Sequence, residues 1–577
     1  MTAQVWTRGD GKVHQVPHDV EIERLGSMGR RSRRAAWVVA PLLAVALLAG
    51  CTQASDNTSS GSGAINTDAD GNVRLDYVNA PPGDPVSGGT LSFGISAETD
   101  GWRVTDGRWA ASAYIVGNTI FDPLAAYDKD FRAQPYLAES FTPNADFTSW
   151  TIGLRPNVTF HDGTPVDGDA VARNLQAHQT ALLTSTAVSF IETVTATGPL
   201  TVQVDMIKPW STFPDAMTAQ VGYVMAPAMI DNPDGARNPV GSGPFTFVQW
   251  TPGRNLEVAR NADYWRDGLP YLDGVKFEVL TDIQTRGRSL EANQIQAMET
   301  GDAAQIIRFA DLASQGKVQM YTDDNNEVSE TFIGLNTSAE PFNDPIARQA
   351  LAYSLDRQAI TDQAYEGLFP PAVGPYKPNS EVYVDAGVPG FDQAKARELV
   401  AEYEAKNGKP LAFTANILPV PEIRRIAETL QQQAADVGIQ VTLEAMDQPT
   451  LLVRALTGAY QATGFILFGS PKLDREYVFI ADFPEGNPLN FTRNKNPAIV
   501  EALDRARATD DVAAQNAAFA DVQRELAKDG NFLFIVHNLG AVVYSNNVFG
   551  IADWTLPSGE PAGRTVQPPL TEAWISQ

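Results

Sequence analysis

The chain has 577 residues, 43% of them hydrophobic, so it is long enough for two to four domains of roughly 150 residues, each with a core of its own. Its 43 Lys+Arg against 69 Asp+Glu leave a formal charge of −26, which argues against nucleic-acid binding, because phosphate contacts need clustered cations, and gives at most a mild bias toward cationic ligands. The single cysteine, Cys51, excludes an intramolecular disulfide and multi-cysteine metal patterns, and His161, His178 and His537 are too scattered through the body for a His-rich metal cluster.

At the amino-terminal end, Arg30, Arg31, Arg33 and Arg34 precede a wholly apolar run, Trp37 to Ala49. The run is shorter than the about 20 residues a membrane span needs. It fits the apolar region of a secretory signal, about 7–15 residues behind a basic start. It ends Leu48-Ala49-Gly50-Cys51, which resembles a bacterial lipobox. That resemblance implies a diacylglyceryl group on the Cys51 sulfur and cleavage that leaves Cys51 first in the mature chain. Two or three acyl chains, at about 0.8 kcal/mol per buried CH₂, suffice for anchoring. The alternatives are an ordinary secretory signal with an incidental cysteine, or an uncleaved anchor. Residues 1–27 are polar and precede Met28; either Met28 is the start or they extend the signal, and they belong to no fold. Residues 1–50 are thus read as signal and 51–87 as a lipidated cysteine with a Ser/Thr/Gly/Asn/Asp-rich tether. The folded body is expected to begin near Gly88.

Strand-like and helix-like segments alternate along the body. Trp150, Ile152 and Leu154 predict a half-buried strand, as do Leu200, Val202, Val204 and Met206. Asn343-Asp344-Pro345 predicts a helix start, with Ile346, Ala347, Ala350 and Leu351 forming its apolar stripe. Asp392 caps a second helix carrying Ala396, Leu399, Val400 and Tyr403. Ile423, Ile426, Ala427, Leu430, Ala434 and Val437 share one helical face, Gly438 stops it, and Ile439, Val441 and Leu443 then alternate: a helix feeding a strand, as in an α/β domain. Helices follow at about 497–507 and 512–528, the second with Phe519, Val522 and Leu526. Phe532 to Val536 reads as a buried strand.

Several stretches together resemble the family 5 extracellular solute-binding proteins, the peptide- and nickel-binding components of ATP-binding-cassette importers. They are TSWTIGLRPNVTFHDGTPVDGDAV (148–171), NPVGSGPFTF (238–247), RNADYWRDGLPYLDGVKFEVLTDIQTR (260–286) and FIGLNTSAEPFNDPIARQALAYSLDRQAI (332–360), with GGTLSFGIS (88–96) and PYLAESFTP (135–143). They occur in the family's order and span nearly all of 88–550. The resemblance implies an α/β, periplasmic-binding-protein-like two-lobe fold of class II with an additional domain and a hinge between lobes. Lobe I would comprise 88–120, 239–334 and 534–577, the additional domain 121–238, and lobe II 335–533. It also implies a monomer without cofactor that captures a small, peptide-like solute outside the cytoplasmic membrane and delivers it to permease subunits.

The motifs have structural readings first. His161-Asp162-Gly163 reads as a turn with Gly163 supplying backbone freedom, not as an acid/base or metal site. Gly241-Ser242-Gly243 lacks the Lys-Ser/Thr ending of a phosphate loop. Arg348 and Asp356-Arg357 read as structural ion pairs, and Tyr264-Trp265 as core. No serine-nucleophile or zinc-protease motif occurs, so the chain is not read as an enzyme. Ligand class rests on YQATGFILFGSPKLD (460–474). Where peptide-binding relatives carry an aspartate for the peptide amino terminus, a gapless match places Ser470. Gly464 stands where some carry an arginine for the ligand carboxylate. Either Asp474 substitutes, or the ligand is not a free-amino peptide, since a buried unpaired ammonium is costly. The expected pocket is Phe468, Gly469 and Ser470 from one lobe, facing Glu98, Thr99, Asp100 and Trp102 from the other. Non-peptide cargo (an oligosaccharide, metal chelate or haem) stays open, as does a secreted lipoprotein enzyme or adhesin.

Overall fold

Trp150, Ile152 and Leu154 do alternate into a core, from strand Ser149–Leu154. This strand is central to a four-stranded antiparallel sheet in the order Ala138–Pro143, Ser149–Leu154, Thr201–Met206, Ile191–Gly198. The structure is a computed structural model that describes Val73 and residues 75–576, except 110, 183, 324–328, 467–471 and 473–476; all lie in the unit Gly61–Gln577.

An eight-stranded mixed sheet runs in the order Asp76–Tyr77, Gln319–Asp323, Gly540–Tyr544, Ala297–Thr300, Thr90–Ile95, Gly274–Val279, Asn255–Arg260, Phe245–Thr251. Thr90–Ile95 lies parallel to both of its neighbours, and the remaining pairs are antiparallel. A five-stranded sheet has the order Gln440–Ala445, Ala412–Ile417, Ala462–Ile466, Ser329–Leu335, Phe532–Asn538. Its helices start where the sequence places them. Asp344 accepts the Ile346 N–H at 3.1 Å and caps Pro345–Ser354, and Asp392 caps Gln393–Asn407. Helix Pro421–Asp436 ends before Gly438, whose φ of +96° turns the chain into Gln440–Ala445, parallel to Ala412–Ile417.

The chain passes between the large sheets after Asp323 and again after Asn538. Asp323 pairs with Gly540 in the eight-stranded sheet, and Ser329 pairs with Asn538 in the five-stranded one. On one of these crossings only Leu539 separates strand Phe532–Asn538 from strand Gly540–Tyr544. The four-stranded sheet shares a core with helices Pro497–Arg507 and Val512–Asp529. There the buried Arg507 guanidinium lies 4.0 Å from the Phe190 ring centre and 4.4 Å from that of Tyr477, a desolvated cation–π contact.

Two readings need correction. Part of the stretch read as tether is structured: Asp76–Tyr77 pairs with Tyr321 and Met320, and Val73 and Leu75 are buried. The alternation of Val73, Leu75 and Tyr77 supplies the apolar face that the flanking Ser/Gly-rich residues lack. The arginines read as ion-paired bind main-chain oxygens instead. Arg348 donates to Asp529 O (2.6 Å) and Phe342 O (2.7 Å), and Arg357 to Phe534 O (2.7 Å). Asp356 caps the helix Arg357–Tyr365. Loop and strand carbonyls buried nearby need donors, and the guanidinium forks supply them.

A chain beginning at Gly88 should therefore be less stable than one beginning at Val73 by roughly 3 kcal/mol, the burial of two aliphatic side chains. Urea unfolding of both chains measures the difference.

Candidate functional site

The Leu539 crossing floors a cavity of about 690 Å³. Asn538, Leu539 and Gly540 line it, with Ser96, Asp122 and Glu299–Asp302 on the side of the eight-stranded sheet and Tyr365, Glu422 and Ile423 on the other. A second cavity, of about 590 Å³, lies beside helices Pro345–Ser354 and Val512–Asp529 and takes no residue from the eight-stranded sheet. Only the first has the placement of a binding cleft between two lobes.

Asp122 follows helix Ala111–Ile120 and is 1% exposed. Its Oδ1 accepts the Tyr264 hydroxyl at 3.0 Å, and its Oδ2 accepts the Ser242 hydroxyl and the Trp265 indole N–H, both at 2.9 Å. The glycines around Ser242 permit this. Gly243 N–H donates to Ile120 O at 2.9 Å, and a Cβ on Gly241 would stand 2.0 Å from that oxygen. Tyr264-Trp265, expected as core, is buried or half-buried and also carries this polar task. The network continues through Tyr136, whose hydroxyl lies 3.2 Å from that of Tyr264, to Arg266 and on to Glu572 at 2.9 Å. Burial pushes the Asp122 carboxyl up to about 6; the three donors oppose that shift without cancelling it.

A second carboxylate closes strand Ala297–Thr300. Glu299 is 7% exposed, and its Oε1 accepts Ser96 N–H at 2.7 Å and the Ser112 hydroxyl at 2.6 Å. Arg286, also on the cavity wall, donates to the main-chain oxygens of Glu299 (3.2 Å) and Leu280 (2.5 Å).

Residues 98–102 form a layer behind this wall. Glu98 accepts the Trp250 indole N–H and the Gly253 N–H, both at 2.7 Å. The Thr99 hydroxyl donates to Gly101 O at 3.0 Å, and Asp100 pairs with Arg108 at 2.7 Å. Trp102 is 2% exposed and meets Trp109 and Trp250 edge-on at 6.1 and 5.8 Å. Trp109 in turn packs on Tyr114 and Tyr223, which line the cavity, so Trp102 supports the aromatic wall from behind. Phe468, Gly469, Ser470 and Asp474 lie outside the described residues, as does Cys51. Gly464 pairs with Ile333 inside the five-stranded sheet.

Sequence reasoning missed Asp122, Glu299, Ser112 and Arg286. Each acid sits in an apolar setting, Ile120-Phe121-Asp122-Pro123-Leu124 and Ala297-Met298-Glu299, and that mismatch was the available signal. His161 occupies a turn: Gly163 has φ +82° and the ring Nε2 lies 3.0 Å from Gly243 O. Burial pushes His178 down to about 4 and His537 to about 3, with Lys377 adding to the latter. Among the described residues no group of three or more His, Cys, Asp or Glu could hold a metal ion.

The family model for bacterial extracellular solute-binding proteins, family 5 (middle), matches residues 132–483. The chain is 28% identical over 443 residues to the glutathione-binding protein GsiB of Pectobacterium atrosepticum, covering 73% of this chain and 83% of that protein. It superposes with a TM-score of 0.74 and 26% identity on the binding protein AgaA of A. tumefaciens R10 in complex with agropinic acid, over 85% of this chain and 99% of that one. The oligopeptide-binding protein AppA of Bacillus subtilis, in complex with a nonapeptide, superposes with a TM-score of 0.71 at 22% identity, over 86% and 100%.

The raised Asp122 carboxyl carries a pH signature. A folded-state value near 6, above the ordinary value of about 4, means that its contribution to stability is complete below about pH 4 and is lost as pH rises through about 6. Asp122→Asn should flatten that decline, read as a shallower slope of urea-unfolding free energy between pH 4 and 6.5. An unchanged slope would remove Asp122 as its source.

Proposed function

This chain belongs to the family 5 extracellular solute-binding proteins, the non-enzymatic receptors of ATP-binding-cassette importers, and on that premise we propose that it captures a peptide or peptide-like solute between two lobes while a lipidated Cys51 holds it on the outer face of the cytoplasmic membrane. Its fold is the mixed α/β periplasmic-binding-protein fold. The observation that carries the reading is the 690 Å³ cavity, which draws its lining from both sides of the Leu539 crossing. That size falls within the about 300–1,000 Å³ usual for small-molecule sites.

Closing two walls about paired crossing strands is a hinge motion, and it contributes affinity only through contacts made in the closed state alone. A peptide backbone held by strand-like hydrogen bonds is a sequence-tolerant cargo. The loaded monomer then docks on its permease subunits. The relative named for glutathione, itself a modified tripeptide, supports a peptide-like solute. The likeness to an agropinic acid complex supports the second reading, a non-peptide cargo in the same receptor role. For the tether, the Arg30–Arg34 segment, the short apolar run and the sole cysteine converge on Cys51. Among the described residues no helix is long and apolar enough to cross a membrane.

Native mass spectrometry of protein purified from its own host should show a bound small molecule, with a peptide-like mass and fragmentation pattern; a sugar or metal chelate there would select the second reading. Cys51→Ser should move the protein from the membrane fraction to the soluble fraction. Continued tight membrane association of that variant would overturn the lipid anchor.

A further inference from the structure

The receptor reading leaves the charge of the solute open, and the cavity wall bears on it. Four carboxylates line the cavity, from Asp122, Glu299, Asp302 and Glu422, against one described cation, Arg286. Their surroundings differ. Asp122 is satisfied by its three donors. Glu422 has Arg425 at 3.8 Å. Asp302 uses Oδ1 to accept Gln305 N–H at 2.9 Å, capping helix Ala303–Ser314. Glu299 is more than nine-tenths buried and spends only Oε1, on Ser96 and Ser112. Among the described residues nothing donates to Glu299 Oε2, and no cation stands within ion-pair distance of Glu299 or Asp302. Arg286 makes no ion pair with them: its Nε and Nη1 donate to the main-chain oxygens of Glu299 and Leu280. Glu299 Oε2 is left open to the cavity, where a cation carried by a ligand would meet it.

The wall also carries aromatic rings, those of Tyr114, Phe121, Tyr136, Tyr223 and Trp554. Ring faces attract a desolvated cation and cover an apolar body equally well.

We propose that the solute of this receptor carries net positive charge, with an ammonium or guanidinium group directed at Glu299 and Asp302 and an apolar body against the aromatic wall. This rests on the receptor reading and specifies its substrate class. It sets the chain apart from a relative named for glutathione and a structural neighbour in complex with agropinic acid, both ligands that carry carboxylates.

Three probes of similar bulk test it by calorimetry on the full chain: Lys-Phe amide (dicationic), Gln-Phe amide (monocationic) and acetyl-Glu-Phe (dianionic). The dicationic probe should bind at least about tenfold more tightly than the monocationic one, about 1.4 kcal/mol, and the dianionic probe should not bind. Glu299→Gln should narrow that ratio to about threefold or less. Asp302→Asn, which keeps a helix cap, should narrow it too and serves if Glu299→Gln fails to fold. Solute released from host-purified protein should be retained on a cation exchanger. Equal or tighter binding of acetyl-Glu-Phe, an unchanged ratio in a folded variant, or an anionic released solute would overturn the inference and leave the receptor reading standing. If neither probes nor host solute bind, the receptor reading falls, and this inference with it.

Discussion

The architecture depends on a crossing in which a single residue joins two sheets. Leu539 follows strand Phe532–Asn538 of one sheet and precedes strand Gly540–Tyr544 of the other. It is 4% exposed, so apolar burial holds it in place. The residues that flank the other passage pair with the ends of this one, Ser329 with Asn538 and Asp323 with Gly540. Gly540 is close-packed: a Cβ there would approach Val566 to 2.7 Å. The cavity takes its lining from both sides of this joint.

The wall on the eight-stranded side is held by a buried polar network as well as by apolar packing. Asp122 gathers Ser242, Tyr264 and Trp265, and Tyr136, Arg266 and Glu572 extend the chain of bonds to the carboxy-terminal segment. Such a network tolerates few vacancies, because each buried group depends on its neighbour for the bonds that water would otherwise supply. This gives the Gly-Ser-Gly-Pro-Phe and Tyr-Trp motifs a common purpose: they bring donors to one buried carboxylate. Glu299 differs in having an oxygen left over. One carboxylate fixes the wall, and the other faces what enters.

Legibility followed distance along the chain. The caps at Asp344 and Asp392, the stop at Gly438 and the alternation of Trp150, Ile152 and Leu154 are local, and the structure shows each of them. Arg348 and Arg357 were misread because their acceptors, Asp529 O and Phe534 O, are carbonyls far away in sequence, invisible to any count of charges. Val73 and Leu75 were passed over because their alternation is brief and set in a polar tract, and its partner strand lies some 240 residues on, at Gln319–Asp323.

By itself the sequence determined the family, the α/β alternation, the helix boundaries and the acidic character, because motif order, period and capping are properties of contiguous residues. The tertiary structure alone decided which acids face the cavity and which lie behind it. Glu98 follows strand Thr90–Ile95, and Glu299 lies in strand Ala297–Thr300. One is turned to Trp250 and Gly253, and the other to Ser96, Ser112 and the open cleft. That difference arises from the register of strands far apart in the chain and from the crossing that sets the two sheets face to face.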